Sequence, residues 1–300
     1  MKYPIVVGTN FSRASNEALI RAEARATRDG VPLTVVHALS PRLWGNDDDA
    51  AHVDRLRQLV AEQVTALTGR QRNEYNVVVE RGAPHVVLTR WAAMQRALLV
   101  VGSPVHHGVG HALLRDLGER VLERAWGPVL VARGRTESRR ILVAVDRPFR
   151  ASPALDMAIA EARRSRAELS VLHCVNMSFL GTLAADIVNG DAYAQHPLGL
   201  HSPRNEARRA LGSELLCRHL DPPLYIVEGE PVPLISQFAA RTDADLLIIG
   251  TAHHPARTPS VTIAVLRHAP CSVLVVDDTS VASVADSATQ TRADRSPHPG

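Results

Sequence analysis

Ile5-Val-Val-Gly-Thr-Asn10 returns 136 positions later as Ile141-Leu-Val-Ala-Val-Asp146, and Leu33-Thr-Val-Val-His37 returns at the same spacing as Leu169-Ser-Val-Leu-His173. Leu98-Leu-Val-Val-Gly-Ser103 matches Leu246-Leu-Ile-Ile-Gly-Thr251 at a spacing of 148, and Pro128-Val-Leu-Val131 matches Ser272-Val-Leu-Val275 at 144. The drift in spacing locates a gain of roughly a dozen residues between the second and fourth strands of the second copy, and a loss of four after Gly250. A unit this long is a duplicated domain, not a solenoid repeat. Every candidate site can therefore be checked twice.

Each copy alternates short β-branched runs with stretches of helical period. In the first copy the expected strands are Ile5–Thr9, Leu33–Ala38, Val77–Arg81, Leu98–Gly102 and Val129–Ala132. They are continuously apolar, as strands covered on both faces should be. Ala18, Leu19, Ala22 and Ala26 mark one face of the first helix, and Ala154, Leu155, Ala158 and Ala162 mark the same face in the second copy. Val121-Leu122 and Val265-Leu266 give the buried side of each last helix. Strand–helix alternation with short connections implies parallel pairing and right-handed crossovers. The expected fold class is α/β: two tandem, open, parallel five-stranded sheets flanked by helices.

The expected domains are 1–134 and 140–278, with a polar linker at 135–139, an insert at 176–205 in the second, and a disordered tail at 279–300. Strongly apolar last strands, Val129–Ala132 and Val273–Val276, invite edge pairing, so an internal pseudo-dimer joined there is expected.

With 45% hydrophobic and 22% charged residues the 300-residue chain reads as globular. A formal charge of +3, with no Lys/Arg block interleaved with aromatics, argues against nucleic acid as partner. Cys174, Cys217 and Cys271 are odd in number and far apart, which fits a reducing compartment. Met1-Lys-Tyr-Pro runs directly into a strand and no apolar run is long enough for a bilayer, so a cytoplasmic protein with no membrane association is expected.

The pieces resemble the universal stress protein family. The first strand of such proteins ends in Asp, as in Ala144-Val-Asp146. Val227-Glu-Gly-Glu-Pro231, Asp243-Ala-Asp-Leu-Leu-Ile-Ile-Gly-Thr251 and Val265-Leu-Arg-His-Ala-Pro-Cys-Ser-Val-Leu-Val-Val276 are similar to the family's later segments. The resemblance implies the universal stress protein fold, an adenine nucleotide alpha-hydrolase-like arrangement. It also implies a stress-associated protein that acts by binding and has no catalytic residues.

Nucleotide-binding members carry G-x2-G-x9-G-[S/T] after the fourth strand. Small residues there let backbone N–H groups approach phosphates at a helix N-terminus. The first copy begins with Gly102-Ser-Pro, but Val105 stands at the second Gly position and Arg115-Asp116 at the last Gly-Ser, and Asn10 replaces the first-strand Asp. Gly108 and Gly118 have the right spacing but lie out of register with the closing strand. An Asp where phosphate should sit repels it. The second copy keeps Asp146, Gly250, Thr251 and Ser260, yet its loop is four residues short, with His253 and Pro259 at the other Gly positions. No cofactor is expected in the first copy. ATP or ADP at Asp146, Gly250, Thr251 and Ser260 is the alternative left open in the second, as a nucleotide-responsive switch or a slow hydrolase.

Asp146 has a plainer reading, as a strand-end carboxylate capping the helix that begins near Ala151. His106-His107 and His253-His254 follow the fourth strands, but adjacent His residues without a supporting carboxylate or Cys do not make a metal site. His37 and His173, at equivalent strand ends, read as inherited packing or edge polarity. Ser12, Ser103 and Ser260 lack a G-x-S-x-G elbow, and neither Walker nor Rossmann glycines follow a first strand. Arg204–Arg209 reads as a solvated helix start. The partners left are unknown proteins, for which the 176–205 insert offers a surface.

Overall fold

The computed structural model describes residues 2–39, 50–103, 117–134, 137–146, 152–175, 202–251 and 260–277. The chain divides into two compact units, with the main boundary between Arg133 and Gly134.

The first unit runs β1 (Ile5–Gly8), α1 (Arg13–Asp29), β2 (Leu33–Leu39), α2 (Ala50–Thr68), a 3-10 turn (Arg72–Glu74), β3 (Asn76–Arg81), α3 (Pro84–Gln95), β4 (Leu98–Gly102), α4 (Leu117–Leu122) and β5 (Val129–Ala132). Its strands lie in the order β3-β2-β1-β4-β5. Neighbouring strands pair in parallel, with Ile5 opposite both Leu33 and Leu98 and Leu99 opposite Val129. The second unit runs β6 (Arg140–Ala144), α5 (Pro153–Ser165), β7 (Glu168–Val175), α6 (Pro203–Cys217), β8 (Leu224–Glu228), α7 (Pro231–Arg241), β9 (Leu246–Thr251), α8 (Ser260–His268) and β10 (Ser272–Asp277). Its order, β8-β7-β6-β9-β10, repeats that of the first.

The central strands are buried along their length, as both-face coverage demands: Ile5, Val6, Val7, Leu142 and Val143 are fully enclosed. β3 and β8 depart from the continuous-burial expectation. Asn76, Arg81 and Glu228 are exposed and several neighbours only half-buried, because each of these strands ends its row. Charge on a terminal strand also discourages pairing with foreign edges. The small-residue stripes of α1 and α5 are buried where expected, Ala18, Leu19, Ala22 and Ala26 in one and Ala154, Leu155, Ala158 and Ala162 in the other.

The start of α1 is set by Ser12, whose hydroxyl accepts the N–H of Ser15 at 3.2 Å. The start of α5 is set by Ser152, which accepts from Leu155 at 3.3 Å. Asp146 is therefore not the cap of that helix, and the carboxylate-cap reading is corrected. The helix begins at Pro153, and the residue immediately before it supplies the acceptor.

Most of the 176–205 insert, the tail 279–300, linker residues 135–136, Val105, His106-His107, Arg115-Asp116, His253-His254 and Pro259 lie outside the described residues.

Candidate functional site

Ligands of open α/β sheets collect at the carboxyl ends of the strands. In the first unit that edge is occupied by a chain of hydrogen bonds. The Thr9 hydroxyl, just past β1, donates to Gln63 Oε1 on α2 at 2.9 Å, and the Gln63 amide donates to Asn16 Oδ1 on α1 at 2.6 Å. Asn10 Oδ1 accepts from the Ser12 hydroxyl at 2.6 Å and from the Ser12 N–H at 3.2 Å, closing an Asx turn before the helix. His37 Nδ1–H donates to the Thr9 carbonyl at 2.9 Å. The ring of Phe11, whose φ is +61°, lies tilted on the His37 imidazole at 5.1 Å. A bulky residue with positive φ is unusual. Here the short Asx turn bends the chain sharply between strand and helix.

Gly102 closes the same edge from β4. A Cβ there would stand 2.1 Å from the Ala14 carbonyl oxygen and 2.8 Å from the Ser15 nitrogen. The missing side chain is what lets the start of α1 pack onto the end of β4. In this copy the glycine that opens the phosphate-loop pattern thus has a packing reason of its own. Ser103, directly after it, is fully buried and accepts from the Arg133 guanidinium at 3.2 Å.

In the second unit β6 and β9 pair with Ala144 opposite Ile249. This register brings the residues after them, Val145-Asp146 and Gly250-Thr251, to one edge of the sheet. Asp146 is exposed, Gly250 half-buried and Thr251 buried. Ser260 opens α8. His173 repeats the role of His37, its Nδ1–H donating to the Val145 carbonyl at 2.7 Å while 7% exposed. The two histidines lock the end of a first strand to the second strand beside it, in agreement with the edge-polarity reading.

Sequence reasoning missed Gln63 and Asp245. Gln63 stands 54 residues from its partner, and nothing local distinguishes it from other helix-surface glutamines. Asp245 is buried, and its Oδ2 accepts the N–H groups of Arg139 and Arg140 at 3.0 Å each. It holds the first residues of β6 from the opposite, amino-terminal edge of the sheet. The pattern Asp243-Ala-Asp245 was visible, but not the orphan donors it serves.

No group of three metal-ligating side chains occurs among the described residues. Burial pushes the Cys174 thiol up to about 11, so at neutral pH it is not a thiolate nucleophile. A groove of about 430 Å³ in the first unit, with Glu23, Gly30, Gly69 and Glu74 in its lining, lies at the strand-start edge, away from the site just described. Arg70 crosses it, donating to Glu23 at 2.9 Å, to the Glu74 carbonyl at 3.0 Å and to Thr27. It staples α1 to the connection that follows α2. Arg218 makes the corresponding tie in the second unit, to Asp156 on α5 and Glu214 on α6.

With this arrangement in view the comparisons are decisive on family. The model of the universal stress protein family matches residues 2–133 and again 137–277, and the chain belongs to that family as a tandem member. It is 34% identical over 137 residues to a universal stress protein of Mycobacterium tuberculosis (strain H37Rv), a match covering 43% of this chain. The matched part spans 45% of that relative's length, about half. A universal stress protein of Archaeoglobus fulgidus DSM 4304 superimposes with a TM-score of 0.62 at 17% identity, covering 92% of this chain and 97% of the other. A functionally unknown protein of Pseudomonas aeruginosa PAO1 gives 0.62 at 19%, covering 96% and 97%. These two similarities establish the fold. Among the described residues no helix is long and apolar enough to cross a membrane.

Proposed function

We propose that this chain is a stress-associated binding module that performs no chemistry of its own, built from domains at 1–134 and 140–278. The observation that carries the reading is the self-satisfied strand-end edge of the first unit. Thr9, Asn10, Asn16, His37 and Gln63 direct their polar groups at one another and at the helix cap. Phosphoryl transfer needs a phosphate cradle, a metal held by carboxylate and hydroxyl, and a group that positions the nucleophile. The side chains that could supply the last of these are already committed in the first unit, and His173 is committed in the same way in the second. Two copies of the domain in one chain support an internal pseudo-dimer, which leaves the outer surfaces for unidentified protein partners. The test is phosphate release from ATP by the intact chain with Mg²⁺. No release above a protein-free control is expected. Metal-dependent hydrolysis lost on Asp146→Ala would overturn the proposal.

A second reading, nucleotide held without turnover in the second unit, is favoured by one observation. Asp146 is exposed at the strand-end edge to which the pairing of β6 with β9 also brings Gly250 and Thr251. Asp146, Gly250, Thr251 and Ser260 would then face ATP or ADP. Protein released from mild denaturation should yield a substoichiometric nucleotide that is absent from Asp146→Ala. An equal yield from that variant would contradict it.

A further inference from the structure

The geometry points to a cationic rim on the second unit, formed by Arg204, Arg208 and Arg209 on α6, that docks an acidic polypeptide segment bearing an apolar residue. The inference rests on the binding-module reading and adds the chemistry of the partner.

Position comes first. In the first unit Gln63 meets Thr9 at the end of β1, so the amino-terminal half of α2 lies toward the strand-end side of the sheet. Gly82 and Pro84 correspond to Gly229 and Pro231, a spacing of 147, and at that spacing Gln63 corresponds to Ala210. Val60 and Val64, the buried residues of α2, correspond to Ala207 and Leu211, which are buried in α6. The amino-terminal half of α6 therefore lies toward the strand-end side of the second unit, and all three arginines lie on it.

Charge comes next. The three arginines are exposed and make no ion pair or hydrogen bond among the described residues, Glu206 in the same turns included. They crowd the amino-terminal half of a helix, where the backbone dipole already presents positive charge, so helix stability does not account for them. The corresponding positions of the first unit are different. Arg57 there is paired with Asp54 at 2.7 Å, and Ala61 and Glu62 replace the other two cations. Among the described residues, the uncompensated cluster belongs to the second copy alone.

The class of partner follows from what lies beside the charge. Guanidinium forks match carboxylates in bidentate pairs. Leu216 is 69% exposed and sits seven residues after Arg209, two turns along the same helix face. An acidic segment with one apolar side chain meets both features. Nucleic acid would want stacking aromatics and a longer basic track, and among the described residues the other exposed positions of this helix are Asn205, Ser213 and Cys217.

The experiment is fluorescence anisotropy of a labelled Glu-rich peptide of about twelve residues with one central Leu, titrated with the intact chain. A labelled single-stranded oligonucleotide is run in parallel. The peptide should bind with an affinity that falls as salt is raised, and an Arg204→Ser, Arg208→Ser, Arg209→Ser variant should weaken it by at least about tenfold, more than one exposed ion pair usually gives. Leu216→Ser should weaken it by a smaller factor. The triple variant should melt no lower than the parent, since it relieves repulsion at a helix start. No peptide binding, equal binding by the triple variant, or tighter binding of the oligonucleotide would each overturn the rim. Those outcomes leave the absence of turnover to be judged separately by phosphate release.

Discussion

Gly102 shows how one residue type can be legible in sequence for the wrong reason. Its place at the end of the fourth strand suggests the opening of a phosphate loop, whereas in this copy the missing side chain makes room for the Ala14 carbonyl and the turn into α1. Gly102→Ala should destabilise the chain by about 3 kcal/mol, the cost of forcing backbone apart in a packed site, measured by urea unfolding. A loss under about 0.5 kcal/mol, the range of ordinary surface changes, would show that α1 can shift away freely. Asp245 makes a parallel case in the second unit. Asp245→Ala leaves the N–H groups of Arg139 and Arg140 without their acceptor, and about 1–3 kcal/mol should be lost. Asp245→Asn, which keeps an acceptor oxygen, should recover most of it in the same unfolding experiment.

At the scale of elements the period of the sequence carried far. β4 and β5 begin and end at the expected residues, and β1, β2 and β3 differ from expectation by a residue at one end. Buried parallel strands write themselves as unbroken apolar runs, and that signal is local. What was not local was lost. The exposure of β3 and β8 depends on strand order, which no single strand encodes. Of the two readings open for Asp146, the cap of α5 fails, because the nearer Ser152 serves. The Thr9–Gln63–Asn16 chain joins three elements through one side chain on α2. The first half of α2 has no buried residue, the helix being anchored at Val60 and Val64. Gln63→Ala should therefore cost about 1–2 kcal/mol, two neutral hydrogen bonds, and should speed amide exchange along Ala50–Leu59 ahead of α1. Unchanged exchange in that stretch would mean that the valines alone hold the helix.

Taken as a whole, the molecule is one domain written twice, and the comparison between copies is its most informative property. Both copies keep the histidine that ties the second strand to the end of the first, at 2.9 and 2.7 Å, and in each an arginine just after the second helix is tied to the first helix. Features kept twice are those the fold needs. Features that differ are candidates for function, and they fall at the strand ends, Asn10 against Asp146 and the neutralised Arg57 against Arg204, Arg208 and Arg209. The central claim is that the strand-end edge of the first unit is closed by its own side chains. Calorimetric titration of Mg-ATP into the intact chain, Asn10→Ala and Asp146→Ala tests it most directly. At most one nucleotide per chain should bind, unchanged by Asn10→Ala and abolished by Asp146→Ala. Two nucleotides per chain, or a site that survives Asp146→Ala and disappears with Asn10→Ala, would contradict it.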